Sequence, residues 1–240
     1  GDYEIRVSNA FATLKTKAVL HTGTVSLIGA VGFVNAYNGG TECFTTIFLK
    51  SDGSSWGMGN NAWGEIGSGT TGQVLSRIQS NFSENNASHG IKALAGGAKH
   101  AIFLRADGTL LGAGKNAYGE FGDGSTVPKV FLSPIPGINS VSQITAGKWK
   151  ATAYDSFSMF TKTDGTLWGM GHNGDGQHGD GTIIQRNSPV QVPGATNVAQ
   201  VSSGKVFSMF VKTDGTLWGM GNNTYGQLGD GTTTPRTSPG

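Results

Sequence analysis

The chain has 240 residues, of which 40 are glycine, and only 13% of its residues are charged. One glycine in every six residues is more than twice the usual share and argues against a helical bundle, whereas the ordinary apolar content permits a packed core and makes disorder unexpected. Lys and Arg number 17 against 15 Asp and Glu, without a run of like charges, so neither nucleic-acid binding nor a basic membrane patch is indicated.

The N-terminal residues 1–42 precede the clear repeats and are predicted to form a strand-rich segment. Its most apolar stretch, Val25 to Val34, contains Ser26, Gly29 and Gly32 and is far shorter than a membrane-spanning helix, so membrane insertion is not expected. The part from Val7 to Thr16 faintly resembles a later repeat. Residues 1–42 are therefore either a separate segment or part of a degenerate fifth unit completed across the termini.

Residues 43–240 contain four copies of one unit, which align without a gap over eighteen residues. Each copy opens with Asp-Gly, and the turn aspartates are Asp52, Asp107, Asp164 and Asp214. Nine residues after each aspartate stands an asparagine, and we predict that Asn61, Asn116, Asn173 and Asn223 are structural, because asparagine readily satisfies the backbone groups of a loop. Start-to-start distances of 55, 57 and 50 residues are typical of β-propeller blades and exceed those of helical repeats.

Each copy predicts a β-hairpin followed by a glycine-rich tail. In the last copy, Phe210 to Thr213 is a β-favouring run, Asp214-Gly215 predicts a two-residue turn, and Thr216 to Met220 returns as the next strand. Gly219 and Gly221 lie in that strand, where glycine is expected only if another backbone approaches closely, as between neighbouring blades. Short apolar runs that end in glycine predict one further strand ahead of each later hairpin.

The stretch from Phe210 to Pro239, with Asp214-Gly215-Thr216-Leu217-Trp218-Gly219 at its start, resembles the repeat of the regulator of chromosome condensation family, of the bacterial or phage type. The resemblance implies an all-β propeller built from four-stranded blades, typically in a ring of seven. Four blades are evident, and seven would need more residues than this chain has. The chain is therefore expected to be a fragment of a larger ring or to close differently.

Candidate binding residues recur eleven residues after the turn aspartate. Trp63, Tyr118 and Tyr225 occupy this place, and the third copy has Asp175 there. Exposed aromatic rings in these loops would stack on sugars or anchor a protein partner. Alternatively, each ring packs its own loop against the next blade.

Two segments differ between copies and are predicted to project as recognition loops, since loops on a rigid scaffold usually carry function. One is the irregular stretch from Gln79 to Gly90. The other is an insertion from Ala151 to Phe157, which carries Tyr154 and Asp155.

No catalytic set is predicted, and neither a metal nor another cofactor is expected. The loop from His172 to Asp180 holds two imidazoles and two carboxylates, but in register His178 replaces an apolar residue of the other copies. Gly53 to Gly57 satisfies the pattern of a serine nucleophile elbow, yet Ser55 lies inside a predicted hairpin strand. The single cysteine, Cys43, excludes an intrachain disulfide.

The sequence accordingly favours a non-catalytic binding scaffold over an enzyme. Low charge with abundant Gly, Asn, Ser and Thr suits an adhesin-like protein that is secreted, displayed on a bacterial surface or carried on a phage particle, with a protein or glycan partner. The resemblance also implies two alternatives. One is nucleotide exchange or chromatin binding, as in eukaryotic members of the family, and the other is inhibition of an enzyme such as a β-lactamase.

Overall fold

The computed structural model describes residues 3–9, 12–18, 32–36, 43–50, 52–81, 90–148 and 156–240. Within these ranges every regular element is a β-strand, and the strands form four antiparallel sheets of three or four strands and one two-stranded hairpin. Each of the four sheets contains one sequence repeat. The predicted all-β fold with one blade per repeat is thus confirmed.

The strands follow the chain in simple up-and-down order. The hairpin consists of β1 (Tyr3–Asn9) and β2 (Ala12–Ala18). Blade 1 consists of β3 (Gly32–Ala36), β4 (Cys43–Leu49), β5 (Ser55–Gly59) and β6 (Val74–Gln79). Blade 2 consists of β7 (Ile91–Gly96), β8 (His100–Arg105), β9 (Leu110–Gly114) and β10 (Lys129–Ile135).

The other two blades repeat this order. Blade 3 consists of β11 (Val141–Lys148), β12 (Ser156–Lys162), β13 (Leu167–Gly171) and β14 (Arg186–Gln191). Blade 4 contains β15 (Val198–Ser203), β16 (Phe207–Lys212) and β17 (Leu217–Gly221). Its fourth-strand place is taken by the last residues, because Arg236 pairs with Gly221 and Gly240 exchanges two backbone hydrogen bonds of 3.0 and 3.1 Å with Gly219.

Blade 1 begins before the first clear sequence repeat. β3 pairs with β4, Gly32 standing opposite Ile47, so this strand comes from the segment 1–42. No distinct sequence signal marks this strand. β1 and β2 pair with each other as a separate two-stranded sheet and not with a strand of blade 4. A fifth unit completed by the N-terminal residues therefore remains a prediction.

The hairpin turn after each second strand differs from the predicted two-residue turn. The N–H of Gly108 donates to the carbonyl of Arg105 at 3.0 Å, and the N–H of Arg105 donates to the carbonyl of Thr109 at 2.9 Å. Three residues therefore form the loop, and only Gly108 has positive φ, at 82°. This is a type I turn closed by a glycine bulge. The Asp107 carboxylate holds it by accepting bonds from the Thr109 N–H and hydroxyl, at 2.9 and 2.6 Å.

The hydrophobic core lies between the blades. Ile47 and Leu49 of blade 1 pack against Ile91 and Phe103 of blade 2. The same arrangement recurs between blades 2 and 3, and between blades 3 and 4. Successive first strands also contact one another, β11 touching both β7 and β15. The blades therefore hold one another in place as in a propeller.

Candidate interaction surface

The loop between the third and fourth strands of each blade, called here the 3–4 loop, carries the recurrent aromatic positions. These loops comprise residues 60–73, 115–128, 172–185 and 222–235. Because strands alternate in direction, all 3–4 loops lie at one end of the blades, together with the connections between first and second strands. The connections between successive blades lie at the opposite end.

Each 3–4 loop is built around its buried asparagine. In the last loop, the Asn223 side-chain carbonyl accepts a bond from the Leu228 N–H at 2.9 Å, and its amide donates to the Thr232 carbonyl at 3.1 Å. The equivalent pair of bonds occurs in the other three loops. All four asparagines are fully buried. Each asparagine therefore links two separate points of the backbone of its own loop.

A second side chain, buried in three loops and half-buried in the last, closes the tip of each loop. The carboxylate of Glu65 accepts a bond from the Trp63 N–H at 2.9 Å, and Gln227 does the same for the Tyr225 N–H. Burial raises the pKa of Glu65, although its backbone bonds, the Thr45 hydroxyl and the charge of Lys99 act in the opposite direction. These carboxylates support loops, and Glu65 and Glu120 are fully buried, so they do not line an open hydrolytic cleft.

The base of three loops is held by an ion pair. Asp123 contacts Lys129 at 2.9 Å, and the Asp230 carboxylate accepts a bond from Arg236 Nε at 2.7 Å. Asp180 accepts a bond from Arg186 Nε at 2.8 Å. The pKa of Asp180 is lowered, because bonds from Thr182 and Arg186 outweigh the effect of burial. The aspartate that a metal loop would need is therefore already bound within the protein.

The recurrent positions eleven residues after the turn aspartate have two different environments. Tyr118 is half-buried and meets the ring of His172 in the next blade edge to face, at 5.2 Å between centroids. Asp175 accepts a bond from the Asn222 amide of the next blade at 2.9 Å. These two residues link neighbouring blades. Trp63 is exposed, and Tyr225 is 92% exposed.

Exposed aliphatic side chains in the 3–4 loops form a feature that the sequence analysis missed. Val127 of blade 2 and Ile183 and Ile184 of blade 3 are all exposed and lie just before the fourth strand, Val127 and Ile184 at equivalent places. The available signal was an aliphatic residue at the place of Thr234 in the two preceding copies, together with Ile183 at the place of Thr233 in blade 3. Together with Trp63, these side chains give the loop end of blades 1 to 3 an apolar character.

The two copy-specific segments emerge at opposite ends of the blades. Tyr154 and Asp155 lie outside the described residues, as do residues 82–89 of the other segment. The insertion connects Lys148 to Ser156, at the same end as the 3–4 loops, whereas the stretch from Gln79 to Gly90 leads from one blade to the next at the other end. The predicted insertion extends too far, because Ser156 and Phe157 already belong to β12 and are buried.

The cation that precedes each turn aspartate packs on its own blade. Lys50, Lys162 and Lys212 lie over the tryptophan ring of the following strand, at 3.9, 4.6 and 4.4 Å from the ring centroids. In blade 2, where Leu111 replaces the tryptophan, Arg105 instead lies 3.6 Å from Asp107. Because these cations contact groups of their own blade, they do not form a rim that is available to bind anions.

The predicted loop histidines are separated by the fold. His178 is fully buried beside Phe157, and burial lowers its pKa to about 3. His172 bonds Gln177 at 3.1 Å and contacts Tyr118 of the preceding blade. Over the described ranges, no group of three or more His, Cys, Asp or Glu could hold a metal ion. The same described ranges contain no helix that could span a membrane.

Comparison with known proteins agrees with this architecture. Family models described as the regulator of chromosome condensation (RCC1) repeat match residues 91–120, 164–211 and 198–227. These matches support the RCC1-repeat family for this chain. The matched ranges contain the turn aspartates and the loop asparagines of blades 2 to 4.

Relatives of this repeat type are longer than the chain. The ultraviolet-B receptor UVR8 of Arabidopsis thaliana is 32% identical over 165 residues, which cover 66% of this chain and 35% of that protein. The human probable E3 ubiquitin-protein ligase HERC4 is 26% identical over 171 residues, covering 70% of this chain and 15% of its own length. The chain thus spans about a third or less of these relatives.

Two solved structures share the fold. Human WBSCR16 superposes with a TM-score of 0.72 at 22% identity, over 95% of this chain and 56% of that one. Prp20p from Saccharomyces cerevisiae superposes with a TM-score of 0.72 at 16% identity, over 94% and 52% of the two chains. At these identities the likeness concerns the fold, which is that of RCC1-type propellers.

Proposed function

We propose that this RCC1-repeat protein is a non-catalytic scaffold that binds a protein partner through the loop end of blades 1 to 3. The observation that carries the proposal is the exposed apolar set on the 3–4 loops, Trp63, Val127, Ile183 and Ile184. Apolar and aromatic side chains held on a rigid framework are the usual anchors of a protein interface. The loops beneath them are braced by buried asparagines, so the anchors lose little freedom on binding.

The relatives support a binding role without naming a partner for this chain. The described interactions of Prp20p are with Gsp1p and histones, and yeast RCC1 has been solved bound to Kap60, so propellers of this fold bind proteins. Glu65 and Asp180 of the 3–4 loops accept internal hydrogen bonds and His178 is buried, which favours binding over catalysis at this end.

The proposal includes the place of action predicted from composition. We infer that the scaffold works in an exposed setting, as a secreted or surface-displayed adhesin or on a phage particle. Low charge and many Gly, Asn, Ser and Thr residues support this part of the proposal. Labelling of intact source cells or particles with an antibody against the chain tests it, and labelling only after lysis contradicts it.

The binding surface can be tested with the immobilised chain. Wild-type protein is incubated with an extract of the source culture and with its spent medium, and retained proteins are identified by mass spectrometry. The variant V127S/I183S/I184S should retain the specific protein at least about tenfold less, because each buried aliphatic anchor contributes about 1 kcal/mol or more.

The matched control changes exposed apolar residues at the opposite end of the blades. Pro136 and Pro193 lie in equivalent connections between blades and are exposed. P136S/P193S should retain the partner like the wild type. Equal retention by all three proteins contradicts the proposed surface, and so does a partner lost only from the control variant.

A further inference from the structure

Two faces of the molecule, one on blade 4 and one on blade 1, carry the same side chains that pack between the blades. We propose that they bind each other between two copies of this chain, head to tail. This inference concerns the flanks of the blades and is independent of the loop-end surface proposed above. It rests on three interfaces within the molecule, which show what each face packs against.

The forward face of each blade is formed by alternate residues of its second strand and the first residue of its third strand. In blade 2 these are Ile102, Leu104 and Leu110, all buried against blade 3. In blade 3 they are Met159, Thr161 and Leu167, all buried, and Met159 and Leu167 belong to the core cluster shared with blade 4.

Blade 4 carries the same set without a cover. Met209 and Val211 are only half-buried, and Leu217 is 61% exposed, whereas Leu110 and Leu167 are at most 1% exposed. The difference lies in the neighbour and not in the side chain, because leucine stands at this place in all three blades.

The glycines of the 3–4 loops also distinguish blade 4, whose glycine does not contact a following blade. A Cβ on Gly119 or Gly176 would meet the fourth strand of the next blade, at 2.4 Å from Asn187 and 2.9 Å from Thr237. On the matching Gly226, it would meet only its own loop at 3.8 Å. These glycines allow the next blade to approach closely.

The receiving face of each blade is formed by a second-strand phenylalanine and by the third-strand residue three positions before the loop asparagine. In blades 3 and 4 these are Phe160 with Met170, and Phe210 with Met220, all buried. The equivalents in blade 1 are Phe48, which is half-buried, and Met58, which is 37% exposed. Blade 1 therefore exposes a receiving face of the kind that the forward face of blade 4 would bind.

A repeated backbone bond would fix the register between the copies. The N–H groups of Gly69, Gly124 and Gly181 donate to carbonyls of the next blade, those of Val130, Asn187 and Thr237, each at 2.8 Å. The fourth donor in this series is Gly231, and the matching carbonyl on blade 1 is that of Leu75. The side chain of Leu75 is 87% exposed.

Tyr225 fits the same contact. In the preceding blades, this position touches the residue eight places after the next turn aspartate, as Tyr118 touches His172 and Asp175 bonds Asn222. The equivalent residue of blade 1 is Asn60. We therefore expect Tyr225 of one copy to pack on Asn60 of the other. A contact between two different faces closes into a ring or continues as a filament, depending on the rotation between copies.

The test is sedimentation analysis of the 240-residue chain over a wide concentration range. The wild type should associate. Leu217→Asp removes the forward face and Met58→Asp the receiving face, and each variant should sediment as a monomer. Both positions are exposed, so folding should survive, and circular dichroism verifies it. The control Val127→Asp, at an exposed aliphatic position outside both faces, should associate like the wild type.

Mixing the two monomeric variants separates this mode from a symmetric one. Each retains one intact face, so an equimolar mixture should form a dimer through the single remaining combination. A wild type that stays monomeric at every concentration overturns the proposal and leaves the faces to another segment or partner. Association that survives both charge variants, or a mixture that stays monomeric, also overturns it.

Discussion

At the scale of single residues, the stability of the 3–4 loops depends on one buried amide per blade. Replacing Asn223 by Ala removes the acceptor of the Leu228 N–H and the donor to the Thr232 carbonyl. Because the asparagine is fully buried, water does not readily replace these bonds. We expect a loss of about 1–3 kcal/mol in the free energy of unfolding.

Thermal unfolding of Asn223→Ala and of the exposed control Asn139→Ala checks this expectation. The first should melt at a clearly lower temperature, and the second should melt with the wild type. Retention of the binding partner should be unchanged in both. A melting temperature for Asn223→Ala that equals that of the wild type shows that the loop does not need its asparagine.

The glycine at the centre of each third strand makes room for a side chain of its own loop. A Cβ on Gly112 would stand 2.5 Å from the buried Phe121 ring, and a Cβ on Gly169 would stand 2.9 Å from the His178 ring. The expectation that this glycine serves the neighbouring blade is therefore wrong. The next glycine of the strand does admit backbone, as Gly114 lies against the carbonyl of Lys99.

A pair of alanine substitutions measures this packing. Gly112→Ala should destabilise the protein by about 1–3 kcal/mol, since the rigid Phe121 ring has no space to move. Gly219→Ala places its Cβ 3.1 Å from the flexible side chain of Leu228 and should cost less, with some return from the reduced freedom of the unfolded chain. Equal melting temperatures for the two variants would contradict the tight packing of the Phe121 ring against Gly112.

At the scale of elements, the long connection in blade 3 is an addition to a two-residue loop. In blade 2, the N–H of Gly97 donates to the carbonyl of His100, which leaves Ala98 and Lys99 between them. In blade 3, Gly147 pairs with Phe157. Removing residues 149–155 leaves Lys148 and Ser156 in those two places. The deletion must stop before Phe157, because that side chain is buried in the core.

We expect the chain lacking residues 149–155 to fold and to melt within a few degrees of the wild type, because its loop then matches that of blade 2. If the insertion recognises a partner, retention of that partner on the immobilised chain should fall. Unfolding of the deletion variant, or undiminished retention, shows that the segment serves packing instead.

The sequence predicted most of the elements, because the repeat marks them four times over. Asp-Gly placed the turn between second and third strands, although the number of turn residues differs, since type I and type I′ turns both accept glycine at that point. β3 escaped notice because Gly40 stands eight residues ahead of Phe48, whereas Gly97 stands six residues ahead of Phe103, so the spacing of the later copies is lost. Repetition was the signal, and where it weakened the prediction weakened too.

The candidate site was less predictable than the fold. Tyr118 and Tyr225 occupy the same repeat position, yet one is half-buried and the other almost fully exposed. The difference depends on which blade stands next, and sequence identity at a position carries no such information. Val127 and Ile183 were overlooked for the opposite reason, because they depart from the repeat.

At the scale of the whole molecule, the blades form a chain of nearest-neighbour contacts. Each of the three core clusters joins two consecutive blades. Stability in such an arrangement is approximately a sum of blade and interface contributions. A group buried at one interface therefore influences the unfolding of the entire array.

Two buried histidines should make this array sensitive to acid. Burial lowers the pKa of both His100 and His178 from about 6.5 to about 3. Each is neutral in the fold and charged more readily in the unfolded chain, so its contribution to stability is complete above pH 6.5 and is lost as the pH falls toward 3. The lowered carboxyl pKa values, such as that of Asp180, act only below the ordinary value of 3.8.

The interval from pH 6.5 to 4.5 therefore isolates the histidines, except that Glu65, with its raised pKa, stabilises the fold slightly as the pH falls. His178→Leu removes one histidine and places there the residue that blade 4 has at Leu228. We expect urea midpoints of the wild type to fall between pH 7 and pH 5, and those of the variant to fall clearly less, because each pKa unit corresponds to about 1.4 kcal/mol. Parallel pH profiles for the two proteins would show that His178 is not held neutral by burial between the blades.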